Sequence, residues 1–130
     1  MKGRLALAML MATIPSAIHA QQRAILMGET QEGTKLFVLP DTADRSDPAV
    51  TVWTREDIPT ATGTRTRGTR AIYDCAARSL TILRREEYDP TGRMTSETIV
   101  PVDDLSTFTP RQASPEQRTL SLICAAFLGR

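Results

Sequence analysis

Two cysteines, two tyrosines, one histidine and a few clustered acids and arginines are the side chains with most chemistry to offer in this 130-residue chain. Cys75 and Cys124 lie far apart in sequence, which is not the C-x-x-C spacing of a redox pair. A structural disulfide, two buried thiols and a reactive pair are the readings open to them. Glu86-Glu87 and Asp103-Asp104 are neighbouring acids. Neighbours on a strand point to opposite faces, so Glu86 and Glu87 form no acid–base dyad if that segment is extended; solvated charge is the plain expectation. Asp41, Asp44 and Asp47 superficially resemble a calcium loop. They lack its glycine and terminal glutamate, and turn-making carboxylates explain them. Tyr73, Tyr88 or a methionine could ligate haem iron, but each is more often a packing residue, and no cofactor is expected. No glycine-rich phosphate loop is present. The stretch 58–68, IPTATGTRTRG, presents Arg65 and Arg67, with Arg70 just beyond. As a loop it would be a solvated connector or, more sharply, a grip for an acidic partner.

The N-terminus sets the compartment. Lys2 and Arg4 form a positive start, Leu5 to Ile14 is a ten-residue apolar run, and Pro15-Ser16 break it before Ala20. Such a run is too short to span a bilayer and has the order of a secretory signal cut after Ala20. The alternative is an apolar helix retained as an anchor. Removing residues 1–20 takes away His19, Lys2 and Arg4, and the formal charge moves from +1 to −1. Without histidine, the remainder cannot host a Ser–His–Asp or Cys–His site and lacks the usual nitrogen ligands for zinc. Without a basic field it is no nucleic-acid binder. No later apolar run is long enough to serve as a membrane anchor. Residues 21–130 suffice for one small domain, and two cysteines in an oxidising compartment favour a disulfide.

The elements that must position these residues follow from patterning. Residues 24–27 and 35–39 are short apolar runs, read as strands around a turn. Residues 40–48, PDTADRSDP, read as a surface loop. Residues 49–54, AVTVWT, form a strand with Val50 and Val52 on one face and Thr51 and Trp53 on the other. Residues 69–75 and 80–88 are the central pair, with Ala71, Tyr73 and Cys75 sharing a face. Asp89-Pro90-Thr91-Gly92 is a tight turn, residues 94–100 return as a last strand, and residues 101–110 connect onward. Ser114, Pro115 and Gln117 then give a capping box with proline at the first helical position. Leu120, Ile123, Cys124 and Phe127 repeat as one helical stripe, and Gly129 suits the stop. The sheet is the only surface available to that stripe, so the helix 114–127 would bring Cys124 towards Cys75.

Tyr73-Asp74-Cys75, Arg78, Ile82-Leu83, Tyr88 and Gly92, followed by Ser114-x-Glu116, Leu120 and Cys124, resemble the surface-adhesin protein E family of Gram-negative bacteria. Trp53 in its V-x-V-x-W-like strand fits as well. The resemblance covers most of residues 21–130. It implies one antiparallel sheet whose concave side holds a C-terminal helix through a disulfide. The founding adhesin is a surface lipoprotein that binds host matrix and serum proteins and can bind haem. This chain departs in having no lipobox cysteine, and in carrying Phe108 where the family often has a tryptophan before the proline leading to the helix. No ligand segment of the adhesin can be placed on it.

The expectation is therefore an α+β domain over residues 21–130: a single antiparallel sheet of about six strands, one C-terminal helix on one face, and a Cys75–Cys124 tether. It would be periplasmic or secreted, non-enzymatic and cofactor-free. Its partner would be a protein, met through a sheet edge or the concave face, and a homodimer through an exposed edge fits the same surface. A small periplasmic enzyme using carboxylates or tyrosine, and a structural envelope component, are the competing readings.

Overall fold

The structure, a computed structural model, describes residues 22–129. The signal-like segment and its cleavage bond lie outside the described residues. Six strands follow one another as an antiparallel meander: β1 Ile25–Glu29, β2 Lys35–Ser46, β3 Ala49–Thr60, β4 Gly63–Asp74, β5 Ser79–Tyr88 and β6 Met94–Ile99. A seventh, β7 Thr107–Phe108, pairs with the Leu80–Thr81 end of β5, while β6 pairs with its Arg84–Tyr88 end. The helix α1, Pro115–Leu128, closes the chain. This is the α+β architecture expected from the sequence.

Two segments expected as loops are strands. Residues 40–46 continue β2, which pairs again with β3 at Asp44–Thr51, Arg45–Val50 and Ser46–Ala49 after an irregularity between Leu39 and Asp44, and only Asp47 and Pro48 turn. Thr42 holds that irregularity together: its hydroxyl donates to the Leu39 carbonyl at 2.7 Å and accepts from the Trp53 N–H at 3.0 Å. Backbone groups that a polar run would have left unpaired are thereby satisfied. Residues 58–68 likewise belong to β3 and β4, which stay in register from Ala49–Asp74 to Thr60–Gly63. Only Ala61 and Thr62 turn, and Gly63 supplies the positive φ of 138° that follows. Threonine is a good strand residue, and T-R-T-R has no apolar face to show alternation.

The helix begins as the sequence predicts. The Ser114 hydroxyl accepts from the Gln117 N–H at 3.1 Å. The Gln117 side chain reaches back to the Ala113 N–H at 2.7 Å, one residue before the cap. Gly129 ends the helix in the left-handed region at φ 65°. Leu120, Ile123 and Cys124 are buried against Val38, Val50, Val52, Ala71, Tyr73, Cys75 and Leu80, with Phe127 partly buried beside them. Each large apolar side chain sealed this way contributes about 1.5–3 kcal/mol. The Cys75–Cys124 disulfide is formed, with Cα atoms 5.6 Å apart. Arg78 donates to the Ser121 hydroxyl at 2.8 Å, and Arg45 lies 5.3 Å from the Phe127 ring centroid, so sheet and helix are also joined at either side of the tether. At the β5–β6 turn, Asp89 accepts from the Thr91 hydroxyl and from the N–H groups of Thr91 and Arg93. These bonds, the Thr91 hydroxyl first, hold its carboxyl below the usual range.

Tyr73 is the titratable group of this core. Burial pushes its phenol up from 10.0 to about 12, against the opposing hydrogen bond to Thr54. The unfolded chain loses this proton near pH 10 while the folded chain keeps it, so stability is whole below pH 10 and falls as pH rises towards 12. Urea titrations at pH 8 and near the upper value should show a loss of about 2 kcal/mol attributable to this residue. Tyr73→Phe should reduce that alkaline loss; an equal loss in the variant would contradict the assignment.

Candidate functional site

Strand alternation assigns every side chain near the arginines to a face. Ala71 and Tyr73 lie under the helix. Counting back along the uninterrupted β3–β4 ladder puts Thr69, Arg67 and Arg65 on the same side. Arg70, opposite Trp53, is on the outer side. The three arginines that the sequence groups together are thus divided: Arg65 and Arg67 share the helix face, and Arg70 does not. All three are half-buried strand residues rather than members of a loop.

The helix-face core stops at the row Val38–Thr54–Thr69–Arg85. Beyond it the same face is a polar shelf. Glu56, Arg67 and Glu87 are the next cross-strand row, followed by Ile58 and Arg65. The Arg67 Nε donates to Glu87 Oε1 at 3.0 Å. Thr54 and Thr69 are buried, and the Thr54 hydroxyl faces the Thr69 carbonyl at 3.4 Å. Arg85 was not among the sequence candidates. It reaches this face because the β4–β5 register shifts between Arg70 and Ala71, which makes Leu83 an extra residue and re-aims everything after it. Its Nε is buried with no hydrogen-bond partner, and it forms no ion pair among the described residues. Its charge nevertheless acts on the Tyr73 phenol, as does that of Glu56, so both approach the edge of the helix-covered core.

The outer face holds a second cluster, of Leu39, Trp53 and Tyr88. Here the expectation of solvated charge at Glu86 fails: Glu86 is 2% exposed. Arg84 Nη2 meets its Oε1 at 3.1 Å and the Tyr88 hydroxyl donates to its Oε2 at 2.7 Å. The same Arg84 nitrogen binds Glu97 at 2.9 Å, and its guanidinium stands 6.0 Å from the Trp53 ring centroid. Gly68 is the cross-strand partner of Glu86, and a glycine there leaves room for a carboxylate and its ligands above the sheet. Glu87 points the other way to Arg67, so the two acids do not converge, as alternation predicts. Asp103 and Asp104 are exposed in a short 3-10 turn, and Asp41 pairs with Arg23. Among the described residues no group of three or more His, Cys, Asp or Glu is placed to hold a metal ion. Of the tyrosines, Tyr73 is sealed in the core and Tyr88 is bonded to Glu86. Glu86 and Glu87 are bound internally, by Arg84 with Tyr88 and by Arg67, while Arg65 and Arg85 on the helix-face shelf have no ion pair among the described residues.

No protein-family model matches the sequence. No curated protein matches it either. Among solved structures, protein E of Haemophilus influenzae superposes with a TM-score of 0.53 at 13% identity, covering 91% of this chain and 91% of that one. Its selenomethionine form gives 0.52 at 14% identity over 87% and 89% of the two chains. A second crystal form gives 0.51 at 15% over 73% and 83%. At such identities the likeness concerns the fold, and the chain has a protein E-like fold: an antiparallel sheet with a C-terminal helix fastened by Cys75–Cys124.

Proposed function

We propose that residues 21–130 are an exported, non-enzymatic binding module of the periplasm or cell exterior that meets a protein partner. The observation that carries this reading is the protein E-like fold, together with the sequence's resemblance to a family of surface adhesins. The chemistry agrees with it. The buried carboxylate is tied up by Arg84 and Tyr88, and the acids are distributed over both faces rather than converged. A disulfide is at home in an oxidising compartment. The half-buried arginines Arg65 and Arg67 on the helix face, and Arg70 on the outer face, are the side chains offered to the partner. The edge strand β6, exposed along its length, is where a second copy would pair to make a homodimer.

Immobilised residues 21–130 exposed to envelope extract should retain a defined protein, and retention should be lost when the disulfide is reduced and the domain unfolded. The purified domain should turn over no ester, phosphate or glycoside substrate. Turnover with no retained protein would favour the small-enzyme reading instead.

A further inference from the structure

We infer that the strap joining β6 to β7, residues 100–106 with Ile99 and Phe108 at its ends, is a docking surface for a basic amphipathic segment of a partner protein. The inference rests on the binding-module reading and places the protein contact on the β5 edge of the sheet.

The strap carries apolar surface that the fold does not use. Val102 is 83% exposed and Ile99 61%, and Leu105 and Phe108 are exposed as well. They recur at every third residue, and no residue from 91 to 109 is buried. Single exposed apolar side chains are ordinary, whereas four within ten residues make a patch. Covering the edge of β5 needs only backbone and polar side chains, so that task does not explain them. The backbone beneath them is fixed. Ile99 pairs with Arg84 on the outer face, and Phe108 pairs with Leu80 on the helix face, so the patch crosses the edge from one side to the other. Between them the Val100 N–H donates to the Leu83 carbonyl at 3.0 Å, and the Asp104 N–H donates to the Pro101 carbonyl at 2.9 Å. Thr107 and Thr81 share a hydroxyl hydrogen bond of 2.7 Å. Residues 102–104 form a 3-10 turn, in which side chains three apart lie on one side, so Val102 and Leu105 stand together. A patch held out on a fixed backbone gives up little conformational freedom on binding.

Charge selects the occupant. From Met94 to Pro110 the chain has the acids Glu97, Asp103 and Asp104 and no lysine, arginine or histidine. Glu97 is spent on Arg84. Asp103 and Asp104 are exposed between Val102 and Leu105 and form no ion pair among the described residues. A segment with an apolar stripe flanked by lysine or arginine complements both features: the stripe covers Val102 and Leu105, and its cations meet the two carboxylates. An anionic bilayer is the wrong occupant, because the carboxylates would have to approach its headgroups along with the apolar side chains. A second copy is wrong too, since strap against strap would set the carboxylates of the two chains against each other.

The test uses residues 21–130 with the disulfide intact and the synthetic leucine–lysine peptide LKKLLKLLKKLLKL as probe, followed by the backbone N–H signals of 15N-labelled protein. The signals of residues 99–108 should move most. Val102→Ser combined with Leu105→Ser should weaken peptide binding by at least about tenfold, and Asp103→Lys combined with Asp104→Lys should do the same. Added salt should weaken binding to the unsubstituted domain. Leu26→Ser, exposed on the opposite edge strand β1, should change nothing. The substituted side chains are exposed, and thermal melts of each variant separate loss of binding from loss of fold. Signals moving mainly outside residues 99–108, or equal affinity for the glutamate analogue LEELLELLEELLEL, would each overturn the inference. Binding to phosphatidylglycerol–phosphatidylethanolamine vesicles that the serine pair abolishes would overturn it in favour of a lipid surface. Self-association that the serine pair abolishes would overturn it in favour of a second copy. Retention of the envelope partner at full strength by the serine pair would overturn it too, while leaving the binding-module reading intact.

Discussion

Replacing Cys75 and Cys124 together with alanine should lower stability by about 4 kcal/mol, the loop-entropy value for a tether closing about 50 residues. For a domain of this size that is a large share of the roughly 5–15 kcal/mol available. The loss is not spread evenly. The disulfide joins the helix to Cys75, the residue after β4, and Cys124 is itself fully buried in the core beside Leu120 and Ile123. Without it, α1 keeps its Ser114 cap and its apolar stripe but has to close a long connection on its own. Denaturant titration should therefore show a lower midpoint, and hydrogen exchange should show α1 opening before the β3–β4 ladder. An unchanged midpoint would mean that the apolar stripe alone holds the helix.

Truncating Glu86 should be the most damaging change on the outer face. Glu86→Ala removes the acceptor of the Tyr88 hydroxyl and one of two carboxylates bound by Arg84, and it leaves a gap beside Gly68. Breaking a fully buried pair costs about 3–5 kcal/mol. Arg84 is 36% exposed and keeps Glu97, so screening brings the expected cost to about 2 kcal/mol. Glu86→Gln keeps an acceptor for Tyr88 and should cost roughly half as much. Because Trp53 lies against Arg84 and Tyr88, its fluorescence should report the disturbance in Glu86→Ala before unfolding begins. A neutral Glu86→Ala would show that the carboxylate holds nothing together.

Much of the architecture is written locally. The helix has a cap, a proline at its first position and a stripe that includes Cys124; Cys75 shares a face with Ala71 and Tyr73. Those two patterns converge on the tether without reference to any distant residue. The strands that were missed are the ones whose pattern is polar on both sides. Residues 58–68 and 40–46 show no apolar alternation to mark them as strands; they pair with neighbours across the two-residue turns Ala61-Thr62 and Asp47-Pro48, and the Thr42 hydroxyl closes a gap that only the folded ladder contains. The face of Arg70 could have been found by counting back from Ala71, had the segment been taken as extended. Glu86 and Arg85 are different. One is covered by Arg84 and Tyr88 on the outer face opposite Gly68, and the other is turned by the extra residue Leu83. Both depend on register between strands, for which the sequence of one strand gives no sign.

Export is the proposal on which the functional reading depends, and the Cys75–Cys124 disulfide is the lock that goes with it. Intact mass of the protein purified from the envelope of its native cell, without reductant and after thiol alkylation, tests export and closure together. The account predicts the mass of residues 21–130 less two hydrogens, with no alkyl group added until a reductant is present. A full-length chain carrying two alkylated cysteines would contradict it.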